Sequence, residues 1–73
     1  MTRKSKPWAV VLDPGREATR TEHTSEAKAY QQVRDVAAGV KDGSSSVTRI
    51  RVEQWDRDYS RWQLFDLIDP TDF

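Results

Sequence analysis

The chain has 73 residues, no cysteine and one histidine, so we expect a single domain without disulfides, thiolate metal sites or histidine clusters. Twelve basic and twelve acidic side chains give a formal net charge of zero, which argues against a dedicated nucleic-acid binder, because that class usually carries a clear basic excess. No apolar run approaches the roughly 20 residues that cross a bilayer, and no secretory signal is recognisable, so we expect a cytoplasmic protein without a membrane partner.

The charges are unevenly distributed along the chain. The first six residues include Lys4 and Lys6 and no acidic residue, so we predict that residues 1–6 form a flexible basic arm. The other end is acidic, and residues 70–73 are predicted to form an acidic tail. Residues 7–69 remain as the single folded domain.

Two strands are predicted in the first third of the chain. Residues 8–12 are rich in β-forming apolar side chains and end at Asp13, Pro14 and Gly15, which together are a strong turn signal. Residues 16–23 are polar and rich in threonine, and Thr19, Thr21 and His23 alternate with Arg20 and Glu22. This pattern predicts a second strand that returns from the turn as a hairpin, and a loop is the alternative.

The most regular pattern predicts a helix that ends at Asp42 and Gly43. Thr24 or Ser25 is placed to cap its N-terminus, because a hydroxyl accepts from a free backbone N–H of the first turn. Apolar residues then recur at steps of three and four residues, which is typical of a helix that packs through one side. These residues are Ala27, Tyr30, Val33, Ala37 and Val40.

The last third of the chain predicts a β-hairpin. Residues 47–55 and 59–68 alternate in side-chain character on either side of the polar turn 56–58. The second strand is expected to stop at Asp69 and Pro70, because proline has no N–H to donate to a neighbouring strand.

This order of elements predicts an α+β fold, a small and mostly antiparallel sheet with one helix packed across one face. A helix with one apolar side and strands with one apolar face bury those surfaces most simply in that arrangement. The predicted core comprises Trp8, Val10, Leu12, Tyr30, Val33, Ala37, Ile50, Val52, Trp62 and Leu64.

No pattern in the sequence predicts catalysis, a cofactor or a metal site. Gly15 is a lone turn glycine and belongs to no phosphate-binding loop. His23 has no recognisable nucleophile beside it, and its position before the helix favours a packing role. Asp56 and Asp58 flank Arg57 in the predicted turn, which favours turn formation over metal binding. We therefore predict that the protein is not an enzyme.

The functional signal lies on the outer face of the C-terminal hairpin, which strict alternation directs away from the helix. Arginines interleave there with aromatic and aliphatic side chains, as in surfaces that grip a protein partner or stack bases. Large apolar side chains on an exposed face usually mark an interface, and an ordinary sheet surface or a small second core is the alternative. The predicted partner-binding residues are Arg49, Arg51, Trp55, Arg61, Phe65 and Leu67.

Residues 8–30 contain a run of features in a fixed order: Trp8, Val10, the segment Asp13 to Arg16, a threonine-rich stretch, and Thr24 to Tyr30. This part of the chain resembles the arm-type DNA-binding domain found at the N-terminus of tyrosine integrases. In that family a three-stranded sheet enters the major groove of DNA. The resemblance implies that Arg16 and Arg20, on the predicted second strand, contact DNA.

A second resemblance covers nearly the whole chain. The segments that carry it are Trp8 to Val11, His23 to Glu26, Ala29 and Tyr30, Thr48 to Val52, and Arg61 to Leu64. They look like small uncharacterised proteins encoded by phages and prophages of actinobacteria. This resemblance implies a protein that acts on a host component during infection, or on a phage component.

The predicted function is a small protein–protein interaction module, phage-encoded, that engages a host or phage protein through the outer face of the hairpin. The alternative is a DNA-binding module that uses the basic arm and the arginines of the sheet. The residues of that alternative are Lys4, Lys6, Arg16, Arg20, Arg49 and Arg51. Pairing of the apolar outer face with itself is a further alternative, which a marginal core and an open sheet edge favour.

Overall fold

The computed structural model describes residues 5–13 and 19–73, which form four strands and one helix. The elements are β1 (Trp8–Asp13), β2 (Thr19–His23), α1 (Glu26–Asp42), β3 (Arg49–Asp56) and β4 (Arg61–Ile68). The strands lie in one sheet in the order β2-β1-β3-β4, and each neighbouring pair is antiparallel. The predicted α+β fold is confirmed, and so is the first hairpin, which the sequence left open. The predicted turn at 14–15, the first part of the predicted second strand and residues 1–4 lie outside the described residues.

Capping residues set both ends of α1. The hydroxyl of Ser25 accepts from the backbone N–H of Lys28 at 3.3 Å, and Glu26 adds a negative charge to the first turn. Gly43 has a φ of 86°, and backbone N–H groups here bind carbonyl oxygens of the last helical turn. Within the described residues, no helix is long and apolar enough to cross a bilayer.

The hydrophobic core lies between α1 and the sheet, and α1 packs chiefly over β1 and β2. The buried residues of α1 are Ala29, Val33 and Ala37. The apolar side of the helix is therefore rotated slightly from the predicted one, and Ala27 is exposed. The core is built from small and branched side chains, while Tyr30 and the other aromatic residues at its margin are only partly buried. It comprises Val10, Ala29, Val33, Ile50, Val52 and Ile68, with Trp8, Leu12, Tyr30, Val36 and Val47 packed against it.

A β-bulge interrupts the pairing of β3 with β4. Val52 lies opposite Asp66, but the next residue, Glu53, lies opposite Leu64. Phe65 is therefore an extra residue on β4, and two residues of β4 oppose one position of β3. Because directly opposed residues of an antiparallel pair point to the same face, the bulge reverses the faces of the residues on its N-terminal side.

The bulge makes part of the sequence-based face assignment wrong. Trp62 and Leu64, which strict alternation placed in the core, lie on the outer face opposite Trp55 and Glu53. Arg61 and Phe65, which were predicted on the outer face, are displaced to the helix side, as described below. The physical reason is that successive side chains of a strand point to opposite faces, so one inserted residue moves every side chain on one side of it to the other face.

The segment predicted as an acidic tail is packed against the domain. Pro70 is fully buried, and Asp69 accepts hydrogen bonds from the backbone N–H and the hydroxyl of Thr71. The ammonium group of Lys41, in the last turn of α1, donates to the backbone oxygen of Phe73. These contacts hold residues 69–73 beside the end of the helix.

A partly buried polar contact ties α1 to the far edge of the sheet. The hydroxyl of Tyr30 donates to Asp66 Oδ2 at 2.8 Å, and Asp66 lies on β4. Burial of the phenol and the neighbouring Asp66 carboxylate raise the pKa of Tyr30 to about 12. The contact positions β4 relative to a helix that otherwise packs over the opposite half of the sheet.

Substitution of Gly43 by alanine is expected to lower the free energy of unfolding by about 1 kcal/mol, because a side chain with a Cβ is strained at a φ of 86°. Gly43→Asn is the matched control and should cost less, because asparagine tolerates this conformation. Urea denaturation of the three proteins measures the difference. Equal stability of Gly43→Ala and the parent would contradict the assigned cap.

The Tyr30–Asp66 contact predicts a loss of stability at alkaline pH. The pKa of Tyr30 is about 12 in the folded protein and near 10.0 in the unfolded chain, so the folded state holds this proton more tightly. The contribution is complete below pH 10 and is lost as the pH rises through about 12. The difference in unfolding free energy between the parent and Tyr30→Phe should shrink over that range, and a pH-independent difference would exclude the linkage.

Candidate functional site

The register of the four strands defines an outer face, the face of the sheet that points away from α1. Val10, Ile50 and Val52 belong to the core, so the residues that alternate with them on β1 and β3 point outward. Cross-strand partners extend this assignment to β2 and β4. The outer face comprises Ala9, Val11, Asp13, Arg20, Glu22, Arg49, Arg51, Glu53, Trp55, Trp62, Leu64 and Leu67.

A cluster of charged and aromatic side chains occupies the middle of the outer face. Arg20 Nη1 lies 2.7 Å from Glu53 Oε1, and its guanidinium carbon lies 4.5 Å from the centroid of the Trp62 ring. The rings of Trp55 and Trp62 meet edge to face, with centroids 5.3 Å apart. These contacts link β2, β3 and β4 across the face through one ion pair, one cation–π contact and one aromatic pair.

The cluster covers two apolar residues of β1. Ala9 and Val11 point to the outer face, yet their exposed fractions are 0% and 3%. Their cross-strand partners on this face include Arg20 and Glu53, whose side chains lie over the central strand. This part of the outer face is therefore a small second core, closed by the aliphatic stem of an arginine as well as by aromatic rings.

The arginines of the outer face are balanced by carboxylates. Arg51 Nε lies 3.1 Å from Asp13 Oδ2, and Arg20 binds Glu53 as described above. Arg49 is exposed at the first position of β3, and Glu22 lies on β2. Three arginines and three carboxylates among the outer-face residues give this surface a formal charge of zero.

Two leucines of β4 remain exposed beside the cluster. The exposed fractions of Leu64 and Leu67 are 59% and 53%. Leu64 lies opposite Glu53 and Leu67 lies opposite Arg51. The outer face thus has a self-contained charged and aromatic centre and an apolar border along the edge strand β4.

The predicted partner-binding residues are only partly brought together. Arg49, Arg51, Trp55 and Leu67 lie on the outer face. Arg61 and Phe65 do not lie with them. Phe65 packs edge to face on Trp8, which belongs to the core margin on the helix side, with ring centroids 4.8 Å apart. Arg61 lies directly opposite Asp56 on β3, also on the helix side. Its guanidinium carbon lies 5.4 Å from the centroid of the Tyr59 ring.

The residues of the DNA-binding alternative are also dispersed. Arg20 and Arg51 already bind carboxylates, and Lys6 is exposed ahead of β1. Lys4 and Arg16 lie outside the described residues.

Sequence reasoning missed Trp62 and Leu64 as outer-face residues. The one available signal is the adjacent pair Leu64 and Phe65, two large apolar residues that interrupt the alternation of β4. Such an interruption is compatible with a bulge, but it does not say which of the two residues keeps the original face.

The polar groups singled out in the sequence make structural contacts. His23 Nε2 lies 2.6 Å from Gln32 Oε1, and the amide nitrogen of Gln32 donates to Thr21 Oγ1 at 3.3 Å. Since the amide oxygen of Gln32 can only accept, His23 donates from Nε2, and the chain of contacts ties β2 to α1. Asp56 Oδ1 accepts from two backbone N–H groups of the hairpin turn. Within the described residues, no group of three metal-ligating side chains is placed to share one ion.

Comparisons with known proteins do not assign a family to the chain. No protein-family model matches it, and neither the curated proteins nor the solved structures include a significant match.

Trp62 and Leu64 are expected to differ sharply in their effect on stability although both lie on the outer face. Trp62→Ala removes the ring that packs on Arg20 and Trp55, and should lower the unfolding free energy by about 2 kcal/mol. Leu64→Ser changes an exposed side chain and should cost less than about 0.5 kcal/mol. Chemical denaturation of both variants checks the prediction, and equal losses would contradict the separation into a second core and an exposed border.

Proposed function

We propose that this chain is a small, non-enzymatic protein–protein interaction module whose binding surface is the outer face of the sheet. The observation that supports it best is the exposure of Leu64 and Leu67 beside the Trp55–Trp62 pair. Large apolar side chains that remain exposed usually mark an interface, and truncation of a few interface residues can cost most of the affinity.

The charge of the outer face favours a protein partner over a nucleic acid. The ion pairs Arg20–Glu53 and Arg51–Asp13 neutralise two of the three arginines of the face. Binding to a polyanion would require those arginines to leave their carboxylates, or the carboxylates to approach phosphate groups. A partner protein whose surface has mixed charge and an apolar centre would require neither change.

The proposed binding surface differs from the one expected from strict alternation. It retains Arg49, Arg51, Trp55 and Leu67, and it gains two residues of β4 in place of the two that the bulge turns to the helix side. Its members are Arg49, Arg51, Trp55, Trp62, Leu64 and Leu67.

The context of the module is proposed from the second sequence resemblance. If the chain is a relative of small proteins encoded by actinobacterial phages and prophages, its partner is a host or phage protein and its location is the cytoplasm of the host cell.

The double variant Leu64→Ser/Leu67→Ser is expected to lose the partner while it retains the fold, because both side chains are more than half exposed. Affinity capture from an actinobacterial lysate treated with nuclease identifies the partner, and titration of the purified partner measures the affinity. We expect a decrease of about ten-fold or more, because both leucines would lose the apolar surface that they bury against the partner.

Tyr59→Ser is the matched control, because Tyr59 is 72% exposed but lies in the hairpin turn, away from the outer face. It should bind as the parent does. Equal binding by the double variant would overturn the assigned surface. Capture that disappears with nuclease, together with an affinity that falls steeply with salt, would instead support the DNA-binding alternative.

A further inference from the structure

The two edges of the sheet differ in length and in chemistry. The β2 edge has five residues, Thr19–His23, all of them polar or charged, which is how natural proteins protect an edge from pairing. The β4 edge has eight residues and carries three large apolar side chains that are about half exposed or more. They are Leu64 and Leu67 on the outer face and Phe65 on the helix side. A long apolar edge of this kind is a template for another strand.

We infer that β4 is a pairing edge for a second copy of this chain, so that two four-stranded sheets join into one eight-stranded sheet. Two identical edges related by a two-fold axis perpendicular to the sheet must run antiparallel. This inference goes beyond partner binding by the outer face and does not depend on it.

The charges of β4 are complementary to themselves in that arrangement. The strand has one basic residue, Arg61, and one acidic residue, Asp66. A two-fold axis at Gln63 pairs Gln63 with its copy and Trp62 with Leu64, so that opposed residues share a face. The extra residue Phe65 then brings Arg61 of one copy opposite Asp66 of the other, and the symmetry repeats the pair. Both side chains lie on the helix side of the sheet, and Tyr30 already orients the carboxylate of Asp66. Opposite charges directly across two strands stabilise antiparallel pairing, whereas like charges destabilise it.

The bulge limits how far the two edges pair. The segment between Arg61 and Asp66 spans about 20 Å at the rise of an extended strand. The extra residue Phe65 lies within this segment, next to Asp66, and interrupts the regular ladder there, and such bulges are one of the features that keep sheet edges from pairing over long stretches. A short paired segment with two ion pairs predicts a dimer of moderate affinity that dissociates on dilution. Once the two β4 edges are paired, no further strand can add to them.

Joining the edges also enlarges the outer face. An eight-residue strand is about 26 Å long and four strands span roughly 15–19 Å, so one outer face measures about 400–500 Å² in projection. A stable complex buries about 800 Å² on each partner, more than one face offers in projection. Because the two-fold axis is perpendicular to the sheet, both outer faces lie on the same side, and the two exposed leucine borders meet near the axis.

Sedimentation of the isolated chain from micromolar to millimolar concentration tests the inference. The mass should rise from 8.5 kDa towards twice that value as the concentration increases. Arg61→Glu and Asp66→Lys should each remain monomeric, because each places like charges opposite each other. An equimolar mixture of the two variants should form a dimer, since each variant supplies the charge that the other requires.

Three controls separate edge pairing from loss of the fold. Arg61→Lys keeps the positive charge and should dimerise. Arg57→Glu makes the same charge change in the hairpin turn, outside β4, and should also dimerise. Tyr30→Phe removes the hydrogen bond to Asp66 without changing the strand's charges, and should retain the dimer. Circular dichroism checks that each variant is folded.

A parent chain that stays monomeric at millimolar concentration would overturn the inference. So would an Arg61→Glu variant that dimerises as tightly as the parent, or folded variants that stay monomeric when mixed. Because no partner protein is present in these experiments, their failure would leave binding by the outer face to be decided by the capture experiment alone.

Discussion

The arrangement of the C-terminal hairpin depends on one extra residue in β4. Phe65 shifts the pairing with β3 by one position, and every residue between it and the turn changes face. Trp62 consequently reaches the outer face, where Arg20 and Trp55 pack against it, while Phe65 packs on Trp8 at the other side. The bulge therefore gives each face of the sheet an aromatic pair that regular alternation would not have produced.

The outer face contributes to the stability of the domain and is also the surface proposed for binding. Its centre is occupied by side chains that satisfy each other, and it buries Ala9 and Val11 of the central strand. Its border is apolar and exposed at Leu64 and Leu67. Contacts already formed at the centre of the face would limit the side-chain entropy lost on binding, which is consistent with the proposed role. The same balance of charges leaves little excess positive potential for a nucleic acid.

The helix determines which half of the sheet is well packed. It lies over β1 and β2 and buries small side chains such as Ala29 and Ala37, so it approaches the sheet closely on that side. Across the sheet, the contact from Tyr30 to Asp66 reaches β4 from a distance through a long side chain. The half of the domain formed by β3 and β4 has less of its surface covered, and the exposed apolar residues of β4 are found there.

The order of elements, the caps of α1 and most of the core followed from local sequence: hydroxyl and glycine residues marked the helix ends, and periods of 3.6 and two marked the helix and the strands. Neighbouring residues alone determine these features, so one sequence suffices to predict them. The sequence also indicated a hairpin face rich in arginine and aromatic residues. Only the tertiary structure decided which residues share that face, because the register of β4 depends on pairing with a distant strand and on the insertion of Phe65. The same holds for the ion pairs of Arg20 and Arg51, whose carboxylate partners are far away in the sequence and are brought close by the order of the strands.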